Sequence, residues 1–136
     1  AGHSRFAMPA AKLGLGYDLA GMRRFVEVLG TSFTKEMFFT ARQFDVDEAR
    51  LMGLVNRVVP DEEIEDFTRA YAEAIAANAP LTVAAAKFIV TELSKDVGER
   101  DLTGCTAMVD RCFGSHDYEE GRRAFLEKRK PAFTGS

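Results

Sequence analysis

Several things are scarce in this chain, and each scarcity closes a door. Basic residues are not in excess, because 18 Lys and Arg face 21 Asp and Glu, for a formal net charge of −3. A nucleic-acid binder normally shows a basic excess or stripe, so no nucleic-acid partner is expected. No run reaches the roughly 18 apolar residues of a membrane span, so no membrane partner is expected. Ala1-Gly2-His3-Ser4-Arg5 is not followed by the apolar core of a secretory leader. Cysteine is limited to Cys105 and Cys112. On one helix their Cα atoms would lie about 10 Å apart at 1.5 Å per residue, too far for a bridge. They read as small buried hydrophobes of a reducing compartment, and a cytoplasmic location is expected. No metal site is expected.

Sheet partners are also lacking. Arg5 to Leu15 has the length and apolar content of a buried strand with its exit loop. Leu54-Val55-Asn56-Arg57-Val58-Val59, bounded by Gly53 and Pro60, reads as a short strand. An isolated strand leaves its backbone groups unpaired. The chain is therefore expected to need a further N-terminal part or partner subunits.

What is abundant is helical periodicity. Gly14 and Gly16 permit a turn, and a helix is expected from about Leu19 to Leu29, ending at Gly30. Thr31 can cap a second helix through Thr40. Asp45 with Glu48 has the form of a capping box, opening a short helix that stops at Gly53. Ile64, Phe67, Tyr71, Ala74 and Asn78 step by three and four. Pro80 suits the first position of the next helix, where Val83, Ala86, Val90 and Leu93 repeat the spacing. Gly98 marks a break. Leu102, Cys105, Val109 and Cys112 form a third stripe. Ser115 caps a last helix, acidic at its start (Asp117, Glu119, Glu120) and basic at its end (Lys128, Arg129, Lys130), with Pro131 stopping it.

The loop Gly14-Leu15-Gly16-Tyr17-Asp18 places a phenol and a carboxylate where a small-molecule site can use them. Each has a plainer alternative. Asp18 suits the cap of the helix starting at Leu19, and Tyr17 can be a packing aromatic. His3, His116, Arg23 and Arg24 read as surface residues.

Four stretches carry a resemblance. They are Phe6 to Gly21, Ala49 to Pro60, Ala79-Pro80 with Lys87, and Ser115 to Gly121 continuing through Ala124-Phe125-Leu126-Glu127-Lys128-Arg129-Lys130-Pro131. In this order and spacing they resemble the C-terminal half of the crotonase superfamily, the enoyl-CoA hydratase/isomerase family. The resemblance covers essentially the whole chain. It implies an α/β crotonase fold, a ββα superhelix, in the full protein, with this chain as its mainly α C-terminal half holding one or two short strands. Residues 1–60 would end the crotonase core, and residues 61–136 would form a helical trimerisation region, with trimers pairing into hexamers. The missing N-terminal half would be a partner within the same fold and would carry both oxyanion-hole amides.

The same resemblance implies an acyl-CoA substrate and no cofactor, since the coenzyme A thioester is itself the substrate. Two backbone N–H groups would hold the thioester oxygen and stabilise an enolate. Phe6, Met8, Ala10 and Leu15 would line the substrate pocket, although Phe6 and Met8 read equally as core. In hydratases a glutamate follows the proline at this point, but here the pair is Pro9-Ala10. Alanine transfers no proton, so two-glutamate hydration is not expected. Asp18 falls where the dienoyl-CoA isomerase branch places a catalytic aspartate. The loop with Tyr17 looks closest to the methylmalonyl-CoA decarboxylase branch, where the phenol would hold the substrate carboxylate out of the thioester plane. Phe125 and Lys128 match positions that reach a neighbouring subunit's CoA, the aromatic by the adenine and the ammonium at a phosphate. Their alternative is a helix end satisfying its dipole. The expected function is an enoyl-CoA hydratase/isomerase family enzyme, decarboxylase- or isomerase-like. The competing expectation is a catalytically inactive C-terminal fragment that serves in oligomerisation and CoA contact.

Overall fold

A computed structural model describes all residues, 1–136. Seven α-helices follow one another: α1 (Ala10–Leu13), α2 (Leu19–Thr40), α3 (Val46–Leu51), α4 (Ile64–Ala76), α5 (Pro80–Leu93), α6 (Leu102–Phe113) and α7 (His116–Glu127). Short 3₁₀ turns lie at Asp61–Glu63 and Val97–Glu99. The chain divides into two compact units, Ala1–Phe67 and Thr68–Ser136.

In the first unit, the core is drawn from α2 and from the segments on either side of α3. Leu29, Met37, Phe44 and Met52 are buried, and Met8, Phe25, Phe33 and Leu54 pack against them. Phe44 is only 1% exposed. Burying such a ring contributes about 1.5–3 kcal/mol relative to leaving it in water. The Arg42 guanidinium lies 3.8 Å from the Phe44 ring centroid and is held there by Glu36 and Glu48, at 2.6 and 2.7 Å. Asp45 and Glu48 form the anticipated capping box of α3.

The two expected strands do not form. Phe6 and Phe44 make one isolated antiparallel bridge, and Ala10–Leu13 closes a helical turn instead of continuing an extended run. Beyond α3, the Leu54 and Val55 amides turn back to the Ala49 carbonyl. A strand persists only where a neighbour pairs its backbone, and apart from the Phe6–Phe44 bridge no strand pairing occurs.

The break anticipated at Gly30 is present, but as a kink within α2. Gly30 has φ 71° and ψ 169°, outside the helical region. The Thr34 hydroxyl donates to the Gly30 carbonyl four residues back at 2.7 Å, a bond within the helix and not a cap.

In the second unit, α5 packs on α6 and α6 on α7. Pro80 occupies the first turn of α5, Asp101 caps α6 through the Gly104 N–H, and Ser115 caps α7 through the Tyr118 N–H. Glu92 is buried where α5 meets the start of α6, accepting from Asp101 N at 2.9 Å and Lys95 Nζ at 2.6 Å. Those bonds hold its carboxyl below the usual range, the Asp101 N–H first. Helix α7 ends at Glu127, so Pro131 is not its terminator. Lys128 adopts φ 54°, a left-handed cap, and Lys128, Arg129 and Lys130 lie past the helix.

Helix α4 keeps the anticipated apolar stripe, but none of its residues is buried. No single helix is long and apolar enough to cross a membrane.

Candidate active site

The loop between α1 and α2 is shaped by backbone constraints at both ends. Gly14 closes α1 in a left-handed conformation. The Leu15 amide donates to the Ala10 carbonyl at 3.0 Å. Asp18 opens α2, its Oδ1 accepting from the Gly21 N–H at 2.7 Å. The capping reading of Asp18 is thus realised, and its exposed carboxylate serves the helix end.

Between these anchors stands Tyr17. Its ring meets Phe38 edge-to-face at 5.1 Å and Phe25 at 6.3 Å, and those two rings cross at 4.9 Å. Its hydroxyl donates to Met8 Sδ at 3.1 Å. Phe38 is buried, and Tyr17 remains 43% exposed. The packing reading of Tyr17 is realised: its ring is clamped by two aromatics, and the residue keeps part of its surface exposed.

The other sequence-derived candidates distribute unevenly. Met8 meets Tyr17 directly and packs on the core. Phe6 is half-buried and engaged through its backbone with Phe44. Ala10 is buried at the start of α1 and brings no proton-transferring group. Leu15 is 58% exposed. Phe125 is 83% exposed on α7, and Lys128 is exposed at its left-handed end.

Phe125 borders a largely apolar cavity of about 490 Å³ in the second unit, with Phe113, Tyr118, Arg122, Cys112 and Phe133 among its walls. Phe113 meets the Tyr118 ring at 5.2 Å, and Arg122 lies 5.7 Å over the same ring. Cys105 and Cys112 are both half-buried thiols without a disulfide.

Asp117 and Glu120 seat the segment that carries Phe133, a role not legible in the sequence. Asp117 is buried and accepts the Thr134 and Gly135 N–H groups at 2.7 and 2.8 Å. Glu120 is buried too, binding Arg129 through both carboxylate oxygens at 2.6 and 2.9 Å, and the Ala132 N–H at 2.9 Å. Arg129 and the Ala132 amide pull the Glu120 carboxyl down to about 2, and the Thr134 amide leads the lowering of Asp117. The acidic first turn of α7 thus receives the C-terminal segment as well as complementing the helix dipole. The only signal in the sequence was the acidic pair itself, which fits either role.

This succession of helices, with a glycine-spaced loop before α2 and a capped helical C-terminal unit, is the helical half of a crotonase fold. The chain belongs to the enoyl-CoA hydratase/isomerase family, whose model matches residues 1–136. Among curated relatives it is 37% identical to methylmalonyl-CoA decarboxylase of Escherichia coli (strain K12), over 97% of this chain and 51% of that protein. It is 36% identical to carnitinyl-CoA dehydratase of Citrobacter koseri, over 99% of this chain and 53% of that protein. Its structure matches that of an enoyl-CoA hydratase/isomerase family protein from Hyphomonas neptunium with TM-score 0.85 and 32% identity, covering 98% of this chain and 50% of that one. An enoyl-CoA hydratase/carnithine racemase from Magnetospirillum magneticum matches with TM-score 0.84 and 31% identity, covering 97% and 49%. The chain spans about half the length of the curated relatives it matches.

Proposed function

We propose that the protein carrying this chain acts on acyl-CoA thioesters through an enolate held in an oxyanion hole, and that its chemistry is decarboxylase-like. The observation that carries this is the pairing of Ala10 with Tyr17. At Ala10, where the family's hydratases carry a glutamate, there is a buried methyl group. At Tyr17, a partly exposed residue, there is a hydroxyl whose acceptor is only a thioether. Loss of CO₂ from a 2-carboxyacyl thioester needs no carboxylate base. It needs the carboxylate held out of the thioester plane and the electrons received by the thioester carbonyl. A neutral phenol suits the first task, because a hydrogen bond to an ionised acceptor is roughly twice as strong as a neutral one.

An isomerase-like reading would give Asp18 the proton transfer. The Gly21 N–H bond to Asp18 Oδ1 favours Tyr17 over it, since a capping carboxylate is tied to the backbone. Phe125 and Lys128 are offered to the CoA moiety of a neighbouring subunit in a trimer or hexamer. Their exposure supports this, as does the cavity that Phe125 borders. No cofactor beyond that moiety is invoked, and the two half-buried thiols fit a reducing, cytoplasmic setting. The 136-residue chain by itself we take to be inactive, an association and CoA-contact module awaiting the rest of the fold.

The test is Tyr17→Phe in the full-length protein, assayed for CO₂ release from methylmalonyl-CoA. The expected loss in kcat is about 10²-fold, the scale of one lost transition-state donor. Asp18→Asn, which keeps a capping oxygen, is expected to change kcat little. Full turnover by Tyr17→Phe, or loss confined to Asp18→Asn, would move the assignment away from the phenol.

A further inference from the structure

The geometry points to Met8 as a positioning residue for Tyr17, a soft resting acceptor that aims the phenol and yields it to a substrate carboxylate. This rests on the reading of Tyr17 given above. Three contacts fix the phenol. Phe25 and Phe38 meet its ring edge-to-face, which sets the ring plane. They leave the direction of the O–H open, and Met8 Sδ at 3.1 Å supplies it.

The choice of sulfur matters. A thioether is a weak acceptor. A carbonyl or carboxylate at that place would hold the hydroxyl against any incoming anion. A methyl group would leave the hydroxyl to rotate and to hold water. Sulfur lies between: it gives direction, yet a carboxylate outcompetes it. Met8 itself is anchored, because it packs on the core formed by Leu29, Met37, Phe44 and Met52. The phenol's aim is therefore referenced to the most buried part of the unit and not to the exposed loop.

Two substitutions separate aim from fold. Met8→Leu conserves volume, a change that cores usually tolerate for less than about 1.5 kcal/mol, and it deletes the acceptor. Met8→Gln keeps the length and supplies a stronger acceptor. In the full-length protein with methylmalonyl-CoA, Met8→Leu is expected to lower kcat by between about 3-fold and 100-fold with little change in KM, the cost of a misdirected group. Met8→Gln is expected to raise KM several-fold, because the amide competes with the substrate carboxylate. Neither change should matter further in a Tyr17→Phe background, since the partner is already gone.

A readout independent of turnover is the Met8 methyl NMR resonance in the full-length protein, which Tyr17→Phe should shift. If both Met8 variants keep wild-type kcat and KM while Tyr17→Phe is inactive, the positioning role is wrong and the Tyr17 reading stands. If Tyr17→Phe is fully active, both fall together. An unmoved methyl resonance overturns the contact itself.

Discussion

Glu120 is a buried carboxylate surrounded by donors from the segment that follows its own helix. Arg129 and the Ala132 N–H favour its ionised form, and its folded-state value falls from 4.5 to about 2. A depressed carboxyl contributes stability that is fully present above its unfolded value and is lost as pH falls toward the folded one. For Glu120 that window runs from about 4.5 down to about 2. Asp117 is shifted in the same direction by the amides of Thr134 and Gly135, so it adds to the loss on the acid side. The attachment of residues 132–136 is therefore expected to loosen as pH drops through that window. Amide exchange at Ala132, Thr134 and Gly135 should quicken first, and the melting temperature should follow. Glu120→Gln should melt several degrees lower at pH 7 and converge toward wild type near pH 3. A gap between the two proteins that stays constant from pH 7 to pH 3 would show that the Glu120 carboxylate does not hold this segment.

At the scale of the elements, what could be read from the sequence was whatever is settled within one turn of chain. Asp45 with Glu48, Pro80 and Ser115 act on backbone groups two or three residues away, or on the fixed φ of proline, so local order sufficed. The strands around Phe6 and at Leu54–Val59 were misread because strand formation is decided by a partner that local sequence does not contain. Asp117 and Glu120 were read as dipole partners because Thr134 and Ala132 lie 17 and 12 residues away. For the candidate site, the loop residues Tyr17 and Asp18 stood out, whereas Phe25 and Phe38 reach Tyr17 only through the folding of α2, and the sulfur of Met8 only through the turn of α1 and the loop after it. Gly30 gives this scale its test. Its φ of 71° with ψ of 169° belongs to a region essentially reserved for glycine. An added Cβ would meet nothing within 4 Å, so any cost of Gly30→Ala comes from backbone conformation alone. The expected destabilisation is about 1–3 kcal/mol, read as a lower urea midpoint with the same slope. Gly98→Ala is the control, since Gly98 has an ordinary φ and equally open surroundings. Equal midpoints for the two variants would mean that α2 does not need its kink.

For the molecule as a whole, the decisive quantity is apolar surface left in water. Phe39 is 74% exposed, Leu51 78% and Phe125 83%. Along α4, Ile64, Phe67, Tyr71 and Ile75 are 39–58% exposed, and nothing on that helix is buried. A helix whose apolar stripe stays in water, as on α4, marks contact with other protein surface. The chain also spans about half the length of its curated relatives, and under the reading proposed above the remainder of the same fold covers these faces. Two consequences follow for the purified 136-residue chain. It should bind a hydrophobic dye and sediment as a mixture of associated species, and co-expression with the other half of the family's length should reduce both effects. Under the proposed reading, which places the oxyanion donors outside residues 1–136, it should also show no detectable hydration of crotonyl-CoA and no CO₂ release from methylmalonyl-CoA, since each such donor is worth about 10²–10³ in rate. A monodisperse, dye-silent monomer would show that these faces need no cover. Turnover by the isolated chain would show that the chemistry resides in residues 1–136, and Tyr17, Met8 and the cavity at Phe125 would then have to supply all of it.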